Sequence, residues 1–168
     1  MMPMFALDVL WISSANLQEP LGGILMASVY DVAEFILART GPLSAMKLQK
    51  LAYYSQAWHA VWSDAQLFPE RIEAWANGPV VPALYEKHRG QFILNQGQFK
   101  DDPGELTNDE ADSVARVLKA YGSKTSQWLS DLTHMESPWV EARAGVPDGE
   151  RSNIEIPLGA MAEYYGAL

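Results

Sequence analysis

Met46-Lys47-Leu48-Gln49-Lys50-Leu51-Ala52-Tyr53-Tyr54-Ser55-Gln56-Ala57-Trp58-His59 is the stretch on which the fold turns. Ser44 precedes it as a helix cap, and Leu48, Leu51, Ala52, Ser55 and, further on, Trp62 repeat at the spacing of one helical face. Tyr53, Tyr54, Trp58 and Trp62 line it almost all round, which places this helix at the centre of the molecule. Lys47, Gln49 and Lys50 fall off the apolar face, towards water or a partner.

The flanks read as more helix. Upstream, Ser28 with Asp31 is a helix start, followed by Val29, Val32, Ala33, Ile36 and Leu37 on one face and stopped by Gly41-Pro42. Downstream the period changes. Ile72-Glu73-Ala74-Trp75 alternates, and Asn77-Gly78-Pro79 signals a turn, so one short strand is expected, paired with residues around Leu67-Phe68 in a small hairpin. Pro79 and Pro82 both suit the first turn of a helix through Leu84-Tyr85 to about Arg89. Residues 91–105 read as a solvated loop, and Thr107 with Glu110 as a capping box for a helix bearing Val114, Val117, Leu118 and Tyr121. Ser123 starts the next helix, with Trp128, Leu129 and Leu132 inward. Ser137-Pro138 opens a short one, and Pro157 opens the last, with Leu158, Met161, Ala162 and Tyr165 on one face. The fold expected is mainly α: a single compact helical domain of about six to seven helices, with one short strand or small β-hairpin near residues 67–77.

Composition agrees. The 168 residues are 48% hydrophobic with net charge −9, enough chain for one domain with a real core. No stretch approaches the roughly 18 to 20 apolar residues of a membrane helix, and the absence of cysteine excludes disulfides and thiolate chemistry. A cytoplasmic protein with no membrane partner is the expectation, and an acidic surface makes direct nucleic-acid binding a poor one. Residues 1–25 hold two acidic residues and no basic one, with no signal-peptide pattern. They read as a non-domain extension, either flexible or a misassigned start. Gly22-Gly23 can be encoded by a purine-rich ribosome-binding sequence just ahead of a true start at Met26, which leaves 26–168 as the domain.

Little in the chain suggests catalysis. His59, His88 and His134 show no metal-ligand spacing, no phosphate-cradling glycine loop or nucleophile elbow occurs, and no cofactor or metal is implied. Asp109-Glu110 reads as helix capping. An acid–base enzyme would need His59 or His134 beside Glu73 in one cleft. The surplus of Trp and Tyr suits a binding protein better, since these residues dominate protein–protein hot spots. A phage structural or assembly protein is the other alternative.

Three runs then resemble one family. Met46 to His59 is similar to the opening signature of the Panacea-domain antitoxins, a group with SocA-like and GepA-like members, often phage-associated. Ile72-Glu73-Ala74-Trp75-Ala76-Asn77-Gly78-Pro79-Val80-Val81-Pro82-Ala83-Leu84-Tyr85 resembles the second signature, and Leu132-Thr133-His134 with Ser137-Pro138-Trp139 and Arg143 the third. The resemblance implies an antitoxin that neutralises a co-encoded toxin by direct contact. Some relatives act as proteolytic adaptors to a ClpXP-type protease. Within the signatures, Trp58, Trp75, Gly78, Pro79, Pro82, His134, Pro138, Trp139 and Arg143 are expected to be structural, with Gly78 and Pro79 setting a turn and His134 bonding back across the fold. Lys47, Gln49, Lys50, Tyr54, His59, Asn77, Val80 and Tyr85 are the candidates for a polar pocket or partner-contact surface.

Overall fold

The structure, a computed structural model, describes residues 26–100 and 104–168. The extension 1–25 and the proposed start lie before the first described residue or at it. Among the described residues the elements are α1 (Val29–Thr40), β1 (Leu43–Ser44), α2 (Ala45–Ser63), β2 (Glu73–Trp75), β3 (Gly78–Val80), α3 (Pro82–His88), β4 (Ile93–Leu94), α4 (Asn108–Tyr121), α5 (Ser126–Thr133), α6 (Ser137–Ala142) and α7 (Leu158–Gly166). The molecule is mainly α.

Local chemistry sets the helix starts. Ser28 Oγ accepts from the Asp31 N–H, and the Asp31 carboxylate accepts from the Ser28 N–H at 2.8 Å. Thr107 and Glu110 repeat this box at α4. Gly41, at φ +76°, ends the α1 segment where a side chain would be strained. Ser44 caps α2 by accepting from the Lys47 N–H.

α2 is the axle. It packs against α1, α4, α5, α7, β1 and β3, and buries Leu48, Leu51, Ala52, Tyr53, Tyr54 and Ala57. Because neighbours surround it, its burial does not follow an apolar stripe. Gln49 and Lys50, expected off the apolar face towards water or a partner, are 3% and 1% exposed. Their polar ends are buried because β3 and α3 bring backbone partners to them.

The strands correct the expected hairpin. β2 pairs antiparallel with β3, matching Glu73 to Val80, Ala74 to Pro79 and Trp75 to Gly78. Leu67 and Phe68 instead enter the core. Pro79 therefore lies in the return strand and the α3 helix begins at Pro82, while the turn itself is Ala76-Asn77, with Gly78 opening β3. On its other side β2 meets residues 154–156: the Ala74 N–H donates to the Ile154 carbonyl at 2.8 Å, and the Ile156 N–H to that of Ile72 at 2.9 Å.

Three smaller expectations also change. The described part of 91–105 is not merely solvated, because β4 pairs with β1 and both Leu94 and Phe99 are buried. α5 is capped by Thr125 rather than Ser123, and Trp128 is exposed, its ring under Lys124 at 4.8 Å. At α6 the cap position is Glu136, with Ser137 and Pro138 inside the first turn.

Candidate functional site

Where α2, the β2–β3 hairpin and α3 converge, they leave a cleft of about 930 Å³. The first half of α2 contributes Gln49 and Lys50, the hairpin Glu73, Trp75, Asn77 and Val80, and α3 Tyr85, His88 and Arg89. Arg151, Ser152 and Asn153 form a further edge.

Gln49 locks the back of the cleft. Its Oε1 accepts from the Val81 N–H at 2.9 Å, so its amide NH2 faces His88 Nε2 at 2.9 Å. That ring nitrogen is therefore the acceptor, and the proton sits on Nδ1. Burial lowers the His88 pKa, in keeping with a neutral ring. Lys50 donates from Nζ to the Pro79 carbonyl at 3.1 Å, and burial lowers its pKa to about 8. The ammonium is still the main form at neutral pH. Trp75 donates its indole N–H to Glu73 Oε1 at 2.9 Å and meets Tyr85 edge to face at 4.9 Å. Glu73 is also paired with Arg71 at 3.1 Å.

The third signature braces the hairpin from behind. Four consecutive carbonyls are held by side chains of the α5–α6 region. Arg143 donates to Ala74 at 3.0 Å, Trp139 to Trp75 at 2.9 Å, and Ser130 to Asn77 at 2.9 Å, while His134 Nε2 lies 3.2 Å from the Ala76 oxygen. Arg143 also binds the Pro147 and Glu150 carbonyls, fixing the loop that leads to Arg151. The hairpin that walls the cleft is thereby held in place from the side of α5 and α6.

Of the eight contact candidates, Gln49, Lys50, Asn77, Val80 and Tyr85 line this cleft. The other three lie elsewhere. Lys47 donates to the Gly122 carbonyl at 2.7 Å, tying α2 to the end of α4. Tyr54 is fully buried, stacked on Tyr121 at 4.4 Å and donating to Glu136 Oε1 at 2.6 Å. His59 is buried against Ser113, 2.8 Å from its hydroxyl, and burial lowers its pKa against the pull of Glu110 and Asp109. Neither His59 nor His134 hydrogen-bonds Glu73 among the described residues. Of the remaining signature residues, Trp58 donates to the Tyr121 hydroxyl at 3.1 Å and stacks on Trp62 at 5.2 Å, Pro82 starts α3, and Pro138 is buried in α6.

Sequence reasoning missed the cluster at Glu136. Its carboxylate accepts from Tyr54 and, at 2.9 Å, from Tyr165, whose hydroxyl lies 3.0 Å from that of Tyr53. Burial raises the Glu136 pKa and the two phenol hydrogen bonds oppose it. A lone glutamate between two unremarkable positions carries no local signal of this role. No described helix is long and apolar enough to cross a membrane.

Comparison with known proteins places these features. The family described as "Antitoxin SocA-like, Panacea domain" matches residues 48–140, which include α2 from Leu48 onwards, the hairpin, α3, α4, α5 and α6 as far as Val140. Antitoxin SocA of Caulobacter vibrioides (strain NA1000 / CB15N) is 26% identical over 129 residues, covering 70% of this chain and 66% of that protein. The chain thus spans just under two thirds of the length of that relative. No solved structure matches.

Proposed function

Because the chain belongs to the SocA-like Panacea-domain antitoxin family, we propose that it is an antitoxin that neutralises a toxin encoded beside it by direct protein contact in the cytoplasm. Membership of an antitoxin family points to a binding protein rather than an enzyme. One observation carries the reading: the family match covers most of the cleft lining, from Gln49 to Arg89, leaving out Ala45, Met46 and the edge at Arg151–Asn153.

The cleft is the proposed contact surface. Asn77, Val80 and Tyr85 would meet the partner, with Gln49 and Lys50 behind them. A standard interface covers about 800 Å² on each partner, so contact would extend beyond the cleft onto the neighbouring surface of α3 and the hairpin. In the same proposal residues 26–168 are the acting domain, and handing the bound toxin to a ClpXP-type protease is a further step.

Growth tests the reading. Expression of the neighbouring gene alone should arrest a bacterial host, and co-expression of the full chain should restore growth and co-purify the toxin. A non-toxic neighbour, or arrest that the chain does not relieve, overturns it. Relief that vanishes in a host lacking the protease supports the adaptor step, and relief that persists there removes it.

A further inference from the structure

The cleft carries a charge opposite to that of the molecule. The chain has a net charge of −9, yet the ionised side chains lining the cleft are Lys50, Arg89 and Arg151 against Glu73. Glu73 is already engaged by Arg71 and the Trp75 indole, and Arg89 by Glu86 at 2.6 Å. Lys50 and Arg151 have no carboxylate within 4.0 Å among the described residues.

Lys50 is the more telling of the two. It is 1% exposed, and of the three N–H donors of its ammonium one is taken, by the Pro79 carbonyl. Burying a charge without a counter-ion is costly, and an anion arriving from outside would offset part of that cost in the complex. Beside it, Trp75, Val80 and Tyr85 offer an apolar wall for side chains flanking such an anion.

Resting on the reading of the cleft as the toxin contact, we propose that it captures a carboxylate of the partner protein, an Asp or Glu side chain or a free C-terminus, between Arg151 at the edge and Lys50 within. A partner then needs two features. A mostly basic surface is drawn in by the acidic exterior, and one acidic anchor is read in the cleft.

Two experiments separate this from the antitoxin reading. In the first, poly-L-glutamate is titrated into the full chain at low ionic strength by calorimetry. An acidic protein repels this polymer, so saturable binding requires a local cationic site. Binding weakened about tenfold or more by Arg151→Glu is expected, the size of effect that reversing an interfacial charge produces. Arg151 is exposed and makes no side-chain hydrogen bond among the described residues, so this variant should fold; an unchanged melting curve verifies it. Lys50→Met gives the second reading from inside the cleft. No binding, equal binding by wild type and Arg151→Glu, or tighter binding of a single-stranded oligonucleotide than of poly-L-glutamate overturns the proposal.

The second experiment is growth rescue. Wild type should rescue, Arg151→Glu should not, and reversal of one acidic residue of the toxin to Lys should restore rescue by Arg151→Glu. Rescue by Arg151→Glu equal to wild type defeats carboxylate capture and leaves the antitoxin reading standing. Failure of wild type to rescue, with poly-L-glutamate still bound in an Arg151-dependent way, supports the cleft chemistry and defeats the antitoxin reading instead.

Discussion

Lys50 and Gly78 occupy one another's space: a Cβ built on Gly78 would lie 2.5 Å from Lys50 Cε and 3.1 Å from its Nζ. Gly78 also has φ +116°, a region that side chains rarely adopt. The lysine of the first signature and the glycine of the second therefore answer to a single steric requirement. The lysine stem can pass to the Pro79 carbonyl because the strand beside it has no side chain at that point.

Gly78→Ala should accordingly destabilise the fold by about 2–4 kcal/mol, combining overpacking with backbone strain. Chemical denaturation would measure it. Adding Lys50→Ala removes the clash but not the strain, so the double mutant should recover part of the loss, with a coupling of about 1 kcal/mol or more. Strict additivity would show that the two positions do not contest the same space.

Lys50 makes stability depend on alkaline pH. Its pKa is about 8 in the folded chain against 10.5 when unfolded. Below pH 8 the ammonium is charged in both states and its burial cost is carried in full. As pH rises through the folded value the native state sheds its proton first, and stability increases by on the order of 3 kcal/mol if the rise runs to completion. The tyrosines act in the opposite sense. Tyr53, Tyr54 and Tyr165 have pKa values raised by burial, so above pH 10, where unfolded phenols ionise, stability falls again. Denaturation midpoints should climb from pH 8 towards pH 10 and then decline, and Lys50→Met should lose the climb while keeping the decline.

Glu136 tests the buried phenol cluster. Glu136→Ala leaves the Tyr54 and Tyr165 hydroxyls without their acceptor and opens a hole, at a cost of about 3–5 kcal/mol. Glu136→Gln keeps an oxygen in place and should cost less than half as much, read from equilibrium unfolding. An equal loss in both variants would mean that charge, not hydrogen bonding, is what the phenols require.

Trp139→Phe isolates one brace of the hairpin. It removes the donor to the Trp75 carbonyl while retaining most of the packing, and should cost about 1–2 kcal/mol. Amide exchange should quicken in residues 73–80 more than in α2, because the variant loosens the cleft wall without touching the axle.

What could be read in advance was what is local. The cap at Ser28 with its acid at Asp31 and the capping box at Thr107–Glu110 depend on groups three residues apart, and both helix starts formed as expected. The mainly helical class followed from periodicity. The fates of Gln49 and Lys50 did not, because an apolar stripe predicts burial only for a helix with one solvated face, and α2 is enclosed on all sides. The partner of β2 was misjudged for a related reason: the alternation at Ile72–Trp75 announces a strand without saying which neighbour it will choose. Even so, five of the eight residues singled out for a pocket or contact surface share one cleft. The edge at Arg151–Asn153 was not foreseen, since it reaches the cleft only through the pairing of 154–156 with β2.

That pairing bears on how the protein is made. Arg71 donates to the Asn153 carbonyl across 82 positions of chain, and Ile72 and Ala74 are tied to the same distant segment. Contacts of such separation close late, since the loop between them must be ordered first. On the ribosome, α2 and the hairpin emerge well before their third neighbour, so the cleft is unfinished until residues 151–156 have been made. A nascent chain would hold its central helix early and close the edge of the cleft only after residues 151–156 leave the exit tunnel.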